Sequence, residues 1–438
     1  MPPANRDLLC LTPIAPASTG NGLAMRSWLF IKAASLDFSV KVAVVPAAGH
    51  SRTPPAVPAV VVDLPDARQI VAAVPGLLAR PAWRARLSRA SPLPPAARVA
   101  PATMAAAVVA AARAAPGTPV HVMRSYLLPL GVAVAEQIRS PWATADLDDD
   151  DQQLADDAGL PDEALGYERL VGVFGPLFAR LAVAGAGDAN AIGARHGLAP
   201  VVIPNAVHAA LRPAGSRRAG SRRAGSRRAG TRDAGTRRET ASLLFVGNLT
   251  YWPNVDAAIR LVRDVLPRIR EASAGAVRLT LAGDACAAVR ELACDPGVRV
   301  TGFVPDLARC YADADVVVAP LAHGAGTRIK LLEAFAAGVP VVTTGPGAAG
   351  LEVADGEHAL LADTPAGLAA AVARLLADPA LQARLVRAAT GLVTSRYSHA
   401  VVIPQIRQFF AAAASGTPAS GAATQQPPTA AVALGHQR

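Results

Sequence analysis

The fold is predicted best from the run Pro320-Leu-Ala-His-Gly-Ala-Gly-Thr-Arg-Ile-Lys-Leu-Leu-Glu-Ala-Phe-Ala-Ala-Gly-Val-Pro-Val-Val-Thr343. An apolar strand pattern, Val316–Ala319, comes before it, and a glycine-rich loop opens it. A helical pattern extends from about Thr327 to Ala337, and Val339–Val342 begins the next strand. This order is typical of a parallel α/β sheet, in which the loop presents unpaired N–H groups at the start of a helix.

Charged residues in this run indicate a ligand. Arg328 and Lys330 fall in the first helical turn, where the helix dipole favours acids rather than cations. Two cations there predict a strongly anionic ligand, and a diphosphate is the obvious candidate. Glu333 follows one turn later, where it can accept hydrogen bonds from sugar hydroxyls. The run therefore predicts a nucleotide-sugar site, with a leftover surface lysine as the alternative interpretation of Lys330.

Composition narrows the classes of partner. The chain has 438 residues and a net charge of +10, but residues 212–239 hold ten arginines against two acids and supply +8 of that charge. The remainder is close to neutral, which argues against a nucleic-acid groove. The four cysteines form no metal-binding or disulfide pattern, and no secretory or membrane-spanning segment is predicted. We expect a cytoplasmic protein.

Alternating strand-like and helix-like patterns predict two doubly wound, Rossmann-like α/β domains facing a central cleft. They are residues 1–208 and 242–396, joined by an Arg/Gly/Ser-rich flexible linker at 209–241. A terminal helix at 397–413 and a disordered tail at 414–438 follow. The predicted strands are Leu8–Leu11, Val40–Val45, Val57–Val62, Val120–Met123, Val201–Ile203, Leu243–Val246, Val277–Ala282, Val298–Thr301, Val316–Ala319 and Val339–Thr343. The predicted helices include Gly22–Ser35, Asp66–Val74, Pro101–Ala114, Glu168–Ala182 and Asp256–Arg270.

Four ordered motifs carry a family resemblance between Leu243 and Tyr397. They are Phe245-Val-Gly-Asn-Leu-Thr-Tyr-Trp-Pro-Asn-Val-Asp256, Val300-Thr-Gly-Phe-Val-Pro-Asp306, Gly324-Ala-Gly-Thr-Arg-Ile-Lys-Leu-Leu-Glu-Ala-Phe-Ala336 and Gly350-Leu-Glu352. This half resembles a GT-B glycosyltransferase of family 4, the "glycosyl transferases group 1" enzymes, and more narrowly the branch from exopolysaccharide loci. The resemblance implies that the first domain lies on the acceptor side and that the terminal helix crosses back to it.

The resemblance also implies roles for individual residues. Lys330 and Arg328 would hold the diphosphate and Glu333 the ribose, and these three are the predicted catalytic residues. Phe303 and Val304 would pack on the base. The full set of predicted donor-binding residues is Gly20, Gly22, Gly247, Asn248, Phe303, Val304, Gly324, Gly326, Thr327 and Glu352.

A member of this family would move a hexose from a nucleotide-diphosphate donor to a polysaccharide or lipid-linked acceptor, with retention of configuration. No metal and no cofactor beyond the donor are expected. Three alternatives stay open: another GT-B enzyme such as a nucleotide-sugar epimerase, a catalytically silent nucleotide-sugar-binding or scaffold protein, and an anion-binding protein that acts through the arginine repeat.

Positions in the second domain depart from the family pattern. Ala325 replaces the first glutamate of the family's paired-glutamate motif. Asn248 and Pro253, or Asn254 with a one-residue slip, stand where an arginine and a lysine usually clamp phosphate. Arg328 and Lys330 are expected to supply that charge instead.

The first domain lacks a clean match to the family's histidine near the reacting carbon. His121 lies close in motif but is predicted inside a strand, and Met123 occupies the better-aligned position. Arg124 is a candidate substitute.

Two charged segments have competing interpretations. The run Asp146-Leu-Asp-Asp-Asp-Asp151 suits a divalent metal, but a solvated acidic loop is the favoured hypothesis. Residues 80–98 contain five arginines, Trp83 and no acid, so they form either a peripheral contact with an anionic membrane or a solvated helix.

Overall fold

The computed structural model describes residues 7–46, 57–62, 79–99, 101–208, 240–273, 276–323 and 328–416. Several predicted features lie outside these ranges. They are the helix Asp66–Val74, most of the linker at 209–241, the end of the tail beyond residue 416, and the loop residues Gly324, Ala325, Gly326 and Thr327.

Two parallel sheets organise the described residues. The first has the order β3-β2-β1-β4-β5-β6-β7 and the second the order β10-β9-β8-β11-β12-β13. The strands of the first sheet are β1 Asp7–Thr12, β2 Ser39–Val44, β3 Val60–Val61, β4 Val120–Met123, β5 Ala143–Asp146, β6 Arg180–Val183 and β7 Val201–Val202. The strands of the second are β8 Thr240–Val246, β9 Ala276–Ala282, β10 Val298–Val300, β11 Val316–Ala319, β12 Val341–Thr343 and β13 Leu360–Leu361.

Helices connect these strands. Those around the first sheet are α1 Gly22–Ala34, α2 Pro81–Arg89, α3 Pro95–Val99, α4 Ala105–Ala111, α5 Leu128–Gln137, α6 Asp151–Asp157, α7 Pro161–Phe174 and α8 Ala186–His196. Those around the second are α9 Trp252–Arg260, α10 Leu266–Ala272, α11 Ala287–Arg290, α12 Ala308–Asp313, α13 Ile329–Ala337, α14 Gly345–Ala348, α15 Pro365–Ala377, α16 Pro379–Leu392 and α17 His399–Ala414. Single helical turns lie at Ala102–Met104, Ser125–Leu127, Gly175–Leu177, Leu261–Val265, Glu291–Cys294 and Val393–Tyr397.

Most predicted strands are confirmed, but the helix predicted over Glu168–Ala182 is wrong. The helix ends at Phe174, and Arg180–Val183 forms strand β6. Pro176 comes two residues after Phe174, and a proline lacks the N–H that a continuing helix needs at that point. Strands β5 and β13 were not predicted either, because polar residues interrupt the apolar pattern of the first and the second is only two residues long.

Both faces of the first sheet are buried, as a doubly wound fold requires. Successive residues of β1 point to opposite faces, so Leu9 and Leu11 pack in one apolar cluster while Leu8 and Cys10 pack in another. All four are fully buried. This double burial explains why β1 is an uninterrupted apolar run rather than an alternating one.

The C-terminal helix α17 crosses back to the first domain, as expected. Its apolar face contributes Val402, Ile406, Phe409 and Phe410 to the cluster behind β1. Phe30 of α1 meets the rings of Phe409 and Phe410 edge to face. The same helix therefore covers the first sheet while its start is joined to the second domain.

Candidate active site

The carboxyl ends of both sheets meet across one cleft. A Cβ atom built on Gly22 would lie 3.3 Å from Cδ1 of Ile329, and one built on Gly20 would lie 3.9 Å from the Phe303 ring. The loop after β1 therefore faces the loop after β10 and the start of α13. Ligands of doubly wound sheets bind at such edges.

The loop after β1 places a helix N-terminus at this cleft. Gly20 has a φ of +96°, which a residue without Cβ adopts readily. Asn21 then caps α1, its Oδ1 accepting a hydrogen bond from the Leu23 amide at 2.9 Å. The predicted donor-binding glycines Gly20 and Gly22 thus both lie on the cleft side of the first domain.

Arg328 lies directly before α13 at the same cleft. Its Nη2 donates to the Pro346 carbonyl oxygen at 3.3 Å. Burial lowers the pKa of the guanidinium, and the Asp149 carboxylate of the first domain partly offsets this effect. A cation that is desolvated at a domain interface gains more from an anionic ligand than one in open water does.

Lys330 is a partly buried cation with a neutral hydrogen-bond partner. Its Nζ donates to Oδ1 of Asn254 at 2.5 Å and lies 4.6 Å from the centre of the Phe245 ring. Burial and the nearby Arg328 lower its pKa to about 7, while Glu333 opposes the shift. The surroundings thus disfavour the charged form of Lys330, and a bound anion would favour it.

The predicted residues Gly247 and Asn248 lie beside the Lys330–Asn254 pair. A Cβ on Gly247 would lie 3.0 Å from Cγ of Asn254 and 3.1 Å from Nζ of Lys330, so a larger residue would displace the lysine. The Asn248 side-chain oxygen accepts hydrogen bonds from the Thr250 amide at 3.1 Å and the Thr250 hydroxyl at 2.7 Å. Asn248 therefore orders the turn after β8.

Glu333 lies one turn along α13 and is 8% exposed. The Tyr311 hydroxyl donates to its Oε2 at 2.9 Å. Burial raises the pKa of the carboxyl to about 7, although Tyr311 and Lys330 both favour the charged form. A carboxyl that has a pKa near 7, and whose position is fixed by the Tyr311 hydroxyl, can accept hydrogen bonds from ligand hydroxyls.

Phe303 is an exposed aromatic side chain at the cleft. It follows Gly302, whose φ of +71° makes the turn after β10. Phe303 is 66% exposed, the most of any large apolar residue given for the described part of the chain, and Val304 beside it is half-buried. An apolar ring left in solvent at a cleft is suited to stacking on a flat ligand.

Glu352 and His323 have partners of their own. The Glu352 carboxylate is exposed and lies 3.6 Å from Nε of Arg396, while its backbone N–H donates to the Tyr397 hydroxyl at 2.8 Å. The His323 ring packs against Trp252 with centroids 5.1 Å apart.

The acidic run Asp146–Asp151 is not a solvated loop, and that expectation was wrong. Asp146 is fully buried, and both its oxygens accept hydrogen bonds from Arg26, at 2.6 and 2.7 Å. Asp150 is paired with Arg195. Arginines from distant parts of the chain neutralise these carboxylates, which makes their burial tolerable.

Arg124 continues this ion-pair network at the end of β4. Its guanidinium contacts Asp148 at 3.3 Å, Asp149 at 3.0 Å and also Asp151, which in addition accepts from the Ser125 hydroxyl. Burial and then the neighbouring Asp148 raise the pKa of Asp149 to about 8. Within the described residues, no group of three or more His, Cys, Asp or Glu is placed to hold a metal ion.

His121 lies inside β4, as predicted, and is fully buried behind the sheet. Its Nδ1 lies 2.9 Å from the Thr144 hydroxyl, and its ring stacks on Phe30 at 5.1 Å. Burial, with a smaller effect from Arg26, lowers its pKa to about 3. His121 therefore serves the core, and Met123, also buried, is likewise directed into it.

Sequence reasoning missed the roles of two residues in this site. Asn254 was considered only as a slip in a clamp motif, and Tyr311 was not considered. Asn254 lies in the quoted run Tyr251-Trp-Pro-Asn254, so its place in a site motif was a usable signal. No signal in the sequence marked Tyr311, because the packing of α12 against α13 brings it to its partner Glu333.

Solved structures similar to this one identify the class of fold. The sucrose-phosphate synthase from Thermosynechococcus elongatus is 16% identical with a TM-score of 0.63, and the match covers 93% of this chain and 100% of the other. The Anabaena protein Alr3699/HepE in complex with UDP-glucose is 14% identical with a TM-score of 0.62, covering 93% and 99%. The fold is therefore that of the GT-B glycosyltransferases.

Sequence comparisons find matches in the second half of the chain. Residues 240–378 match the family model described as glycosyl transferases group 1. A glycogen synthase of Mycobacterium tuberculosis is 34% identical over 186 residues, which is 40% of this chain and 44% of that protein. The match thus spans less than half the length of this curated relative.

Proposed function

We propose that this chain is a glycosyltransferase that moves a sugar from a nucleoside diphosphate donor to a polysaccharide or lipid-linked acceptor. The observation that carries the proposal is Lys330, a desolvated cation whose hydrogen-bond partner is a neutral amide, at the edge where two doubly wound domains meet. The family match over residues 240–378 supports it. The UDP-glucose named with the Anabaena structure supports the donor class.

The donor lies across the second domain in this proposal. Phe303 stacks on the base and Glu333 accepts hydrogen bonds from the ribose hydroxyls. Lys330 and Arg328 bind the diphosphate, while Gly20 and Gly22 let the α1 backbone approach it. Charge develops on the diphosphate as the bond to the sugar breaks, so fixed cations there lower the barrier more than they stabilise the ground state.

The proposed reaction retains the anomeric configuration of the donor sugar and needs no cofactor besides the donor. The acceptor hydroxyl attacks from the face that the diphosphate leaves, so the product keeps the donor's anomeric configuration. Two side-chain cations supply the charge that the leaving group needs, and the carboxylates of the acidic run are already bound by arginines. The proposed reaction therefore uses the nucleotide sugar as co-substrate and routes no step through a metal ion.

The test is a transfer assay with UDP-, GDP- and ADP-sugars and a polysaccharide or lipid-linked acceptor, on wild type and Lys330→Ala. Wild type should release nucleoside diphosphate in step with product, and Lys330→Ala should lose most turnover while keeping its thermal unfolding midpoint. Proton NMR of the first product would show the anomeric configuration. Equal turnover in both proteins would overturn the role of Lys330.

A second candidate is a nucleotide-sugar-binding protein without turnover. It is favoured by one observation, the burial of His121 behind the first sheet, because no histidine then reaches the cleft from β4. Tight donor binding with no transfer to any acceptor would support this candidate. Change of the free nucleotide sugar without acceptor would instead indicate an epimerase.

We further propose a cytoplasmic location with peripheral contact at an anionic membrane through residues 80–98. Trp83 is buried and donates to Glu136 at 2.7 Å, so exposed arginines, not the indole, would make this contact. No helix of the described residues is both long and apolar enough to cross a bilayer. Salt-sensitive pelleting with acidic vesicles, lost on Arg84→Glu/Arg89→Glu, would support the contact, and pelleting unaffected by these changes would refute it.

A further inference from the structure

Asn254 has no charge and lies at the start of α9, yet it makes the closest polar contact given for Lys330. It is 9% exposed and comes from a segment 76 residues earlier in the chain. The contact therefore joins α9, the helix that follows β8, to α13, the helix that follows β11, at the edge of the cleft. A neutral partner at this place is unlike the paired arginines of the first domain.

The orientation of the Asn254 amide is fixed from its other side. Its Nδ2 donates to the backbone carbonyl of Asn248 at 2.9 Å, so its Oδ1 is turned towards Nζ of Lys330. The reversed amide would place an N–H against the ammonium and a carbonyl against a carbonyl. Asn254 can thus act only as an acceptor for the lysine.

The remaining neighbours hold the lysine without neutralising it. The Phe245 ring lies below Nζ, and Gly247 leaves the space that Nζ occupies. The charged groups that act on Lys330 are Arg328, which disfavours the ammonium, and Glu333, which favours it. Both belong to the segment of Lys330 itself, and β8 and α9 contribute only the aromatic ring and the amide.

We infer that Asn254 is a positioning residue for the proposed reaction, a neutral acceptor that fixes the Lys330 ammonium for the donor diphosphate. The inference rests on the proposed function. A carboxylate at this place would bind the lysine more strongly but would repel the phosphates, whereas an apolar residue would release the long side chain to its other rotamers. An amide combines fixed position with retained charge.

The first experiment needs no ligand. Wild type has only three lysines, Lys32, Lys41 and Lys330, so ¹³Cε-lysine labelling gives three resonances, and Lys330→Arg assigns the one of interest. We expect Lys330 in Asn254→Ala to titrate at lower pH than in wild type, because the charged form loses its acceptor. In the isosteric Asn254→Asp it should titrate at higher pH. Identical titration in wild type and Asn254→Ala would overturn the inference.

The second experiment measures calorimetric affinity for UDP and for uridine. Asn254→Ala and Asn254→Asp should each weaken UDP binding about tenfold or more, as loss of an interaction with a charged group does, and leave uridine binding unchanged. Asn190→Ala, at an exposed asparagine in the first domain, is the matched control. Unchanged UDP affinity in Asn254→Ala would overturn the inference. If wild type binds GDP or ADP instead of UDP, the same variants are compared with that diphosphate and its nucleoside. If it binds none of the three, the proposed function fails, and the lysine titration still decides the role of Asn254.

Discussion

The cleft has one edge in the first domain and one in the second, called here the first and second edges, and the cations at these edges have opposite surroundings. In the first domain, Arg26 donates two hydrogen bonds to the Asp146 carboxylate, and Arg124 contacts three carboxylates. In the second domain, Lys330 meets an amide oxygen and an aromatic ring. The paired charges of the first domain satisfy one another within the chain, whereas a desolvated cation with a neutral partner is what the proposed diphosphate site requires.

The pKa directions follow this difference. Burial works against the charge of Arg26, but Asp146 and Asp148 outweigh it, so the pKa of the guanidinium is raised. Burial also works against Lys330, and Arg328 adds to the effect, so its pKa falls to about 7. The same desolvation therefore gives a permanent charge at one edge and a titratable one at the other.

The largest expected effect is on stability, at the first edge. Arg26→Met leaves the buried Asp146 carboxylate without its partner, and we expect the free energy of unfolding to fall by about 3–5 kcal/mol. Urea denaturation of wild type and variant measures this change. Arg270→Met breaks the half-exposed pair with Asp295 and is the control, with an expected loss of about 1 kcal/mol or less. Equal losses in the two variants would contradict the structural role of the first edge.

At the second edge, the expected loss is of binding rather than stability. Phe303→Ala removes a ring that is 66% exposed, so the thermal unfolding midpoint should stay within error of wild type. Affinity for a nucleoside diphosphate should fall by about 1–3 kcal/mol, the usual contribution of a base stacked on an aromatic residue. Calorimetry on both proteins checks this. Unchanged affinity would remove Phe303 from the donor site.

A smaller effect concerns pH. In the proposed function the charged lysine binds phosphate, and its pKa of about 7 means that the free protein loses this charge above that pH. Affinity should therefore fall with rising pH, by up to about tenfold per unit. Binding at pH 8 should therefore take up about one proton, measured by calorimetry in buffers of different ionisation enthalpy. Lys330→Ala should abolish this uptake. Glu333→Gln should preserve it, although the Glu333 carboxyl titrates in the same range. Uptake that survives Lys330→Ala would assign the proton elsewhere.

The smallest effect is expected on the surface, where α17 joins the first domain. Arg407 binds both oxygens of Asp37 at 2.7 Å, but the pair is solvent-exposed. Arg407→Ala should leave both the unfolding midpoint and nucleotide affinity within error of wild type, because exposed ion pairs contribute little. A clear loss of stability would show that this pair, and not the apolar face of α17, fixes the helix.

Local patterns in the sequence predicted the second edge well. The strand before the glycine loop and the helix through Lys330 and Glu333 each follow from residues within a few positions of one another, whereas the loop at Phe303 came from the family resemblance. Such patterns report local structure directly. The donor-binding roles of these residues remain proposals.

The first edge could not be predicted in the same way. Arg26 and Asp146 are 120 residues apart, and only the order of strands in the sheet brings them together. A run of five aspartates predicts a solvated loop unless its distant arginines are known. The Lys330–Asn254 contact was not predicted for the same reason, because tertiary packing, and not sequence spacing, forms it.

The most direct test of the contrast between the edges is a calorimetric titration of UDP, GDP and ADP on wild type, Lys330→Ala and Arg195→Ala. Arg195 is the matched cation, because it belongs to the first domain and is paired with Asp150. We predict that wild type binds at least one diphosphate, that Lys330→Ala weakens this binding about tenfold or more, and that Arg195→Ala leaves it unchanged. Equal affinity in wild type and Lys330→Ala, or no binding by wild type, would contradict the account.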